Sequence, residues 1–249
     1  MVREKCYRLL KNRFPHMYSY LKKNKVFPCL YHIPDSVYMH KRKKAVQKHG
    51  YYVVRKMYDI SKYLGIPVWI DCGTLLGYCR EGMLMKHDYD IDFASWSLDE
   101  EKRKRLIGTL KKEKMLRVRG VSLDGVPYTD SFEYKGVIFD INYYFGSQKL
   151  AYYFEHNTNE QKGMRFYKGK IRYEEGFDIY KYTTANLKPV KGVFLNGCPC
   201  IIPQNPVRRT VEMYGENWMV PIIEDYDWTI HTDSEYMGFN CKVRGWSRK

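Results

Sequence analysis

The chain has 249 residues, 44% of them hydrophobic and 16% aromatic, enough for the core of one large domain. No run of 18 apolar residues occurs, which excludes a membrane-spanning helix. The 7 cysteines are odd in number and lack zinc-finger spacing, so free thiols in a reducing compartment are expected.

The formal charge is +15, and it is unevenly spread. Residues 1–48 hold 13 Lys and Arg against Glu4 and Asp35, a net of +11. The rest of the chain carries only +4. The excess is therefore a basic N-terminal extension, separate from the domain at 49–249. It suits an anionic membrane surface or an acidic polymer, or a helix docked on the domain with its lysines in water. Charge placed away from the chemistry-bearing residues argues against nucleic acid as a partner. With no apolar stretch of signal-peptide length at the start, the expected location is cytoplasmic, peripheral to the inner membrane face.

In chain order, residues 3–23 mix basic and apolar side chains around Pro15. A long helix is predicted from Asp35-Ser36, just after Pro34, to Gly65, with one of the pair as its cap. Its apolar stripe is Val37, Ala45, Val46, Val53, Met57, Ile60 and Leu64. The basic residues 41–44 occupy its exposed turns. A strand at 67–71 leads through Gly73-Thr74 into a helix over 75–80, which Asp71 is placed to cap. A strand over 88–94 follows. Ser97 and Glu100 form a capping box for a charged helix over 98–115. Strands are expected at 116–121, 130–134 and 137–144, the last two joined by a bend at Lys135-Gly136. Residues 150–197 read as strands and turns. A short helix covers 204–214, and few apolar anchors follow: Trp218, Ile222, Ile223 and Trp228. The order predicts an α+β fold, a mixed β-sheet flanked by helices.

Residues 88–92 carry the chemistry. Asp88, Asp90 and Asp92 alternate, so in a strand their carboxylates share one face. Like charges this close need a cation, and hard oxygen ligands suit Mg²⁺ or Mn²⁺. Asp140, between Phe139 and Ile141, supplies a third carboxylate if its strand lies alongside. Gly73 and Thr74 stand where backbone N–H groups and a helix dipole hold phosphate. Arg80, Lys86 and His87 lie between, and Arg80 is the first choice to neutralise phosphate. Cys72 and Cys79 read as packing residues. A phosphate cradle beside metal-binding carboxylates is the apparatus of phosphoryl or nucleotidyl transfer.

The pattern W-x-x-x-G-T-L-L-G-x-x-R-x-G-x-x-x-x-x-D-x-D-x-D over 69–92 resembles the LicD/fukutin family of the nucleotidyltransferase superfamily. K-G-V-x-F-D-I at 135–141 and P-Q-N-P…Y-G-x-x-W at 203–218 are similar to it as well. One departure is His87, where the pattern commonly has an aromatic residue before the first aspartate. The resemblance implies a nucleotidyltransferase-like fold. It implies transfer of phosphocholine, glycerol phosphate or ribitol phosphate from a CDP-activated donor to a glycan or glycolipid hydroxyl. It implies Asp90, Asp92 and Asp140 as metal ligands and Asp88 as the family's leading aspartate. Gly73, Thr74, Arg80 and Lys86 fall to the donor. Two other readings remain open: transfer of NMP to RNA or a small molecule, and a non-catalytic, membrane-associated scaffold for glycan assembly.

Overall fold

A computed structural model describes residues 26–157, 164–167, 170–173, 178–221, 234–238 and 243–248. The expectations for residues 3–23 and for Ile222, Ile223 and Trp228 fall outside them. The chain divides into two compact units, Met1–Lys41 and Arg42–Lys249. The described part of the first, residues 26–41, is helical. The second unit holds the α+β domain. Among the described residues no helix is long and apolar enough to cross a membrane.

Helix α1 spans Val26–Leu64. It starts earlier than the sequence predicts, so Pro34 lies inside it and neither Asp35 nor Ser36 is its cap. Of its predicted stripe, Val46, Val53, Met57 and Ile60 are buried, Ala45 and Leu64 are partly buried, and Val37 falls outside the described side chains. Their spacing keeps them on one helix face. Gly65 takes a left-handed φ of 67° and ends the helix. Buried Ser61 donates to the Ile66 carbonyl and accepts from Val68 N–H, which fixes the turn into β1 (Val68–Ile70).

Helix α2 (Cys72–Glu81) follows, then β2 (Asp90–Trp96). The second strand starts two residues later than predicted. Asp88 sits in the preceding turn, where its N–H donates to the Met85 carbonyl. Helix α3 covers Glu100–Lys112. Its cap is Asp99, whose carboxylate accepts from Lys102 N–H at 2.7 Å, and not the predicted Ser97. Strands β3 (Leu116–Leu123), β4 (Val126–Tyr134) and β5 (Val137–Gly146) form a meander. Its turns, Asp124-Gly125 and Lys135-Gly136, hold positive φ at both residues, as tight two-residue hairpins require.

Beyond these lie β6 (Leu150–Asn157), β7 (Met164–Tyr167), β8 (Lys170–Tyr173) and β9 (Asp178–Ala185). The hairpin β10 (Pro189–Leu195) and β11 (Cys198–Pro203) leads to α4 (Pro206–Tyr214). Strands β12 (Ser234–Gly238) and β13 (Val243–Arg248) follow. Among the described residues, 11 strands make one mixed sheet. Strand β2 runs parallel to β5, and β1 lies antiparallel on β2's other edge.

The two faces of the sheet differ. One carries Ile91, Phe93, Phe132, Phe139 and Ile141, packed with the α1 stripe and with Leu106 and Leu110 of α3. The other carries Asp90, Asp92, Asp140, Asn142, Ser131 and Thr129, because side chains alternate along each strand. A bulge between Arg117 and Arg119 lets two β3 residues face a single step of β4. It sends the two arginines to opposite faces. Arg117 pairs with Phe132 and reaches Asp130 on the core face. Arg119 pairs with Ser131 and reaches Asp140 on the polar face.

Asp130 is fully buried, yet it is held by Arg103 from α3, Arg117 and the Tyr143 hydroxyl. Cutting it away leaves two desolvated cations without a counter-charge. Asp130→Ala should therefore lower unfolding stability by about 3–5 kcal/mol, read from denaturant midpoints. A change of under about 1 kcal/mol would show that this cluster does not fasten α3 to the sheet.

Candidate active site

The polar face of the sheet opens into a cleft of about 1150 Å³. That exceeds the roughly 300–1,000 Å³ of typical ligand pockets. Its polar lining includes Asp88, Asp90, Asp92, Asp140, Glu155 and Arg119. Its apolar lining includes Leu76, Met213, Tyr214 and Trp218.

Asp92 is fastened to the turn that opens α2. Its carbonyl accepts from Asp71 N–H at 3.1 Å, and its N–H donates to Thr74 Oγ1 at 2.9 Å. Its Oδ2 accepts from Gly73 N–H at 3.0 Å. A Cβ at Gly73 would stand 3.2 Å from that oxygen, so any side chain there would press the Asp92 carboxylate back by a few tenths of an ångström. Cys72, just before it, holds a left-handed φ of 46°, a strained backbone for a residue with a side chain. The predicted phosphate groups are thus already engaged: Gly73 N–H with Asp92's side chain, and buried Thr74 with its backbone.

Across the sheet, Asp92 and Asp140 stand side by side in the β2–β5 register. Asp140 in turn pairs with Ser131, and Ser131 with Arg119. Arg119 donates to Ser131 Oγ at 2.8 Å and to Asp140 Oδ2 at 3.0 Å. Asp90 is answered by Arg42, 3.5 Å away. Arg42 also donates to the Tyr89 carbonyl and stacks over the Tyr89 ring. So this member of the basic run at 41–44 is spent on the cleft and not on solvent.

Asp90, Asp92 and Asp140 each have their own neighbour, and among the described residues no three His, Cys, Asp or Glu side chains converge as a metal-ligand group. The sequence expectation of a three-carboxylate centre is met in placement on one face, not in convergence. The fit to a cation rests on unsatisfied charge. Asp88 Oδ2 and Asp140 Oδ1 are buried and accept no hydrogen bond from the described residues. Burial, then the Asp90 charge, pushes the Asp88 carboxyl up to about 7. Burial, then the Asp140 charge, raises Asp90 to about 6, against Arg42 and Arg119. Asp92 is driven well above the usual carboxylate range by burial and by Asp90 and Asp140. Such a set suits Mg²⁺ or Mn²⁺, which take one or two carboxylates and complete their shell with water and substrate phosphate.

The other expected residues part company. Arg80 lies on the cleft wall, but its guanidinium donates to the carbonyls of Trp218 and Val220. It holds the apolar wall in place. Lys86 is exposed and stands off the wall, whereas His87 is on it. Asp71 occupies the cap position of α2 without capping it. Its carboxylate instead takes Arg209 of α4 and the Tyr144 hydroxyl, in a cluster where both charges are buried. Burial, with Asp71 and Asp92, raises the Cys72 thiol, which keeps it protonated and unreactive. Sequence reasoning missed Arg42, Arg119, Glu155 and Arg209. The Arg-Val-Arg alternation in β3 was the one available signal.

Because the folded chain binds the protons of Asp88 and Asp90 more tightly than the unfolded chain, their contribution to stability is full below about pH 4. It is lost as pH rises through about 6 to 7. A divalent cation offsets the repulsion of the charged forms. Stabilisation by Mn²⁺, read as a melting shift, should be small near pH 5 and grow toward about pH 7.5. Asp92→Asn keeps an acceptor for Gly73 and removes a charge. Without metal it should melt at or above the wild-type temperature and gain little from Mn²⁺. A pH-independent Mn²⁺ shift, or a loss of several degrees in Asp92→Asn, would contradict this electrostatic picture.

A sequence search found no matching curated protein. The pattern of LicD/FKTN/FKRP, nucleotidyltransferase domain, matches residues 65–205, more than half of the chain. The match takes in the α2 turn and all five cleft carboxylates, and the family suggests a transferase. The chain belongs to the LicD/FKTN/FKRP family.

Proposed function

We propose that the cleft transfers a phosphorylated alcohol from a CDP-activated donor to a glycan hydroxyl and releases CMP. The observation that carries this reading is the pairing of Asp92 with Asp140, in register on the cleft face, beside the N-terminus of α2. Asp90, Asp92 and Asp140 would hold Mg²⁺ or Mn²⁺, which when bound neutralises the donor pyrophosphate.

The chain's own groups do the rest. Arg119, with its guanidinium on Asp140 and Ser131, presents charge to the phosphoryl oxygens of the group being transferred. The positive end of the α2 dipole faces the same region. Tyr214 and Trp218 offer flat apolar surface to the cytosine ring. Arg80 fixes the backbone that carries Trp218. The acceptor oxygen attacks the phosphorus that bears the alcohol, and the bond to CMP breaks in line. The basic residues 1–48 fit attachment to an anionic membrane surface, where glycolipid acceptors lie.

The test is thermal stabilisation by CDP-choline, CDP-glycerol, CDP-ribitol, CTP, ATP and UDP-sugars, each with and without Mn²⁺. A ligand at a hundred times its dissociation constant adds about 2.7 kcal/mol. A metal-dependent shift with one CDP-alcohol, together with loss of CMP release in Asp90→Asn and Asp92→Asn, is expected. Shifts with NTPs alone would assign NMP transfer instead. No shift with any donor, or full activity in either variant, would overturn the reading.

A further inference from the structure

We propose that Glu155 is the general base of this cleft, the group that takes the proton from the attacking acceptor hydroxyl. The inference rests on the phospho-alcohol transfer reading and adds a residue outside the sequence motifs.

Five carboxylates line the cleft, and four of them belong to β2, its approach turn and β5. Glu155 comes from β6. Strand β6 pairs with β5 only at Phe145–Tyr152 and Gly146–Ala151, then continues with β9 as its partner. Extended, the β5 register would set Asn142 level with Glu155, and both residues line the cleft where that pairing has ended. The parting of β6 from β5 therefore brings a carboxylate into the cleft from outside the ion-holding pair of strands.

That separation suits a division of labour. Asp140 has Arg119 on one oxygen and, in the proposed function, a metal ion to hold. A carboxylate held by two cations is a poor proton acceptor. The groups facing Glu155 are Asp71 and Cys72 at the start of α2, Asp92 of β2, Tyr128 of β4, Asp140 of β5, Tyr153 of its own strand and Arg209 of α4. Among these only Arg209 is cationic, and its guanidinium is given to Asp71 and Tyr144. Burial, helped by the Asp71 and Asp140 charges and opposed first by the Tyr153 hydroxyl and then by Arg209, pushes the Glu155 carboxyl up to about 7. A base near neutrality accepts a hydroxyl proton most effectively at that pH.

The step balances. The acceptor O–H proton passes to the Glu155 carboxylate as the acceptor oxygen bonds to phosphorus. The bond from that phosphorus to the bridging pyrophosphate oxygen breaks, and CMP leaves with the electron pair. Glu155 returns its proton to solvent.

The test uses the full chain with Mn²⁺ and CDP-choline, CDP-glycerol and CDP-ribitol, following CMP release with water as acceptor. Glu155→Gln should lower kcat by about 100- to 10,000-fold, with donor KM and donor-induced melting shift unchanged. The acid limb of the wild-type pH profile, near 7, should vanish. Glu155→Asp should restore part of the rate and the limb. Asp92→Asn, by contrast, should lose the metal-dependent donor shift. If wild type cleaves a donor, Asp92→Asn is inactive and Glu155→Gln runs at wild-type rate, the role of Glu155 alone is overturned. The same holds if Glu155→Gln loses donor binding together with rate, since that marks a structural residue. A wild-type chain that neither binds nor cleaves any CDP-alcohol overturns both readings.

Discussion

The structure depends on a buried carboxylate fastened to a turn. Asp92 is tied through its carbonyl, its N–H and its side chain to three successive parts of the segment that opens α2: Asp71, Thr74 and Gly73. Those bonds make the helix start and the β2 edge one rigid piece. They also satisfy one oxygen of a group that burial alone would keep neutral. The rest of the cleft is arranged around that group. Asp140 is set beside it by the parallel register, and Arg119 two strands further on, past Ser131. A charge placed so firmly among other charges is costly unless something is to bind there.

Two clusters, each centred on a buried aspartate, hold this arrangement in place. On the core face, Asp130 gathers Arg103, Arg117 and Tyr143 and fixes α3 to the meander. On the other, Asp71 gathers Arg209 and Tyr144 and fixes α4 to the start of α2. Each joins elements far apart in sequence, and each leaves a costly buried charge if one member is removed. The bulge in β3 links the two levels. One residue's shift lets neighbouring arginines serve the scaffold and the cleft separately.

Much of this was legible in local pattern. The stripe ending at Ile60, the Gly65 stop and the alternation of Asp90 and Asp92 with Ile91 and Phe93 are periodic signals, and packing obeys them. Asp88 fits the same alternation but lies in a turn, because the chain bonds back to Met85 before the strand begins. Ser97 and Asp99 are both capping residue types; Asp99 directly precedes the first helical residue and its side chain reaches Lys102 N–H, so it caps. What stayed hidden was long-range. Arg42 looks like one more solvated cation in a basic run until the fold brings Asp90 to it. Arg209 falls inside the 203–218 segment but at none of its named positions, and Glu155 sits on a strand without a motif; only the packing of the fold shows what they face.

Metal binding measured with and without donor tests the central claim most directly. Since the carboxylates alone do not converge into a ligand group, substrate phosphate should complete the shell. Electron paramagnetic resonance of Mn²⁺ should show weak binding to the free protein and tighter binding once a CDP-alcohol is present. Both should be lost in Asp92→Asn. Mn²⁺ binding that ignores the donor and persists in Asp92→Asn would place the ion elsewhere and contradict the account.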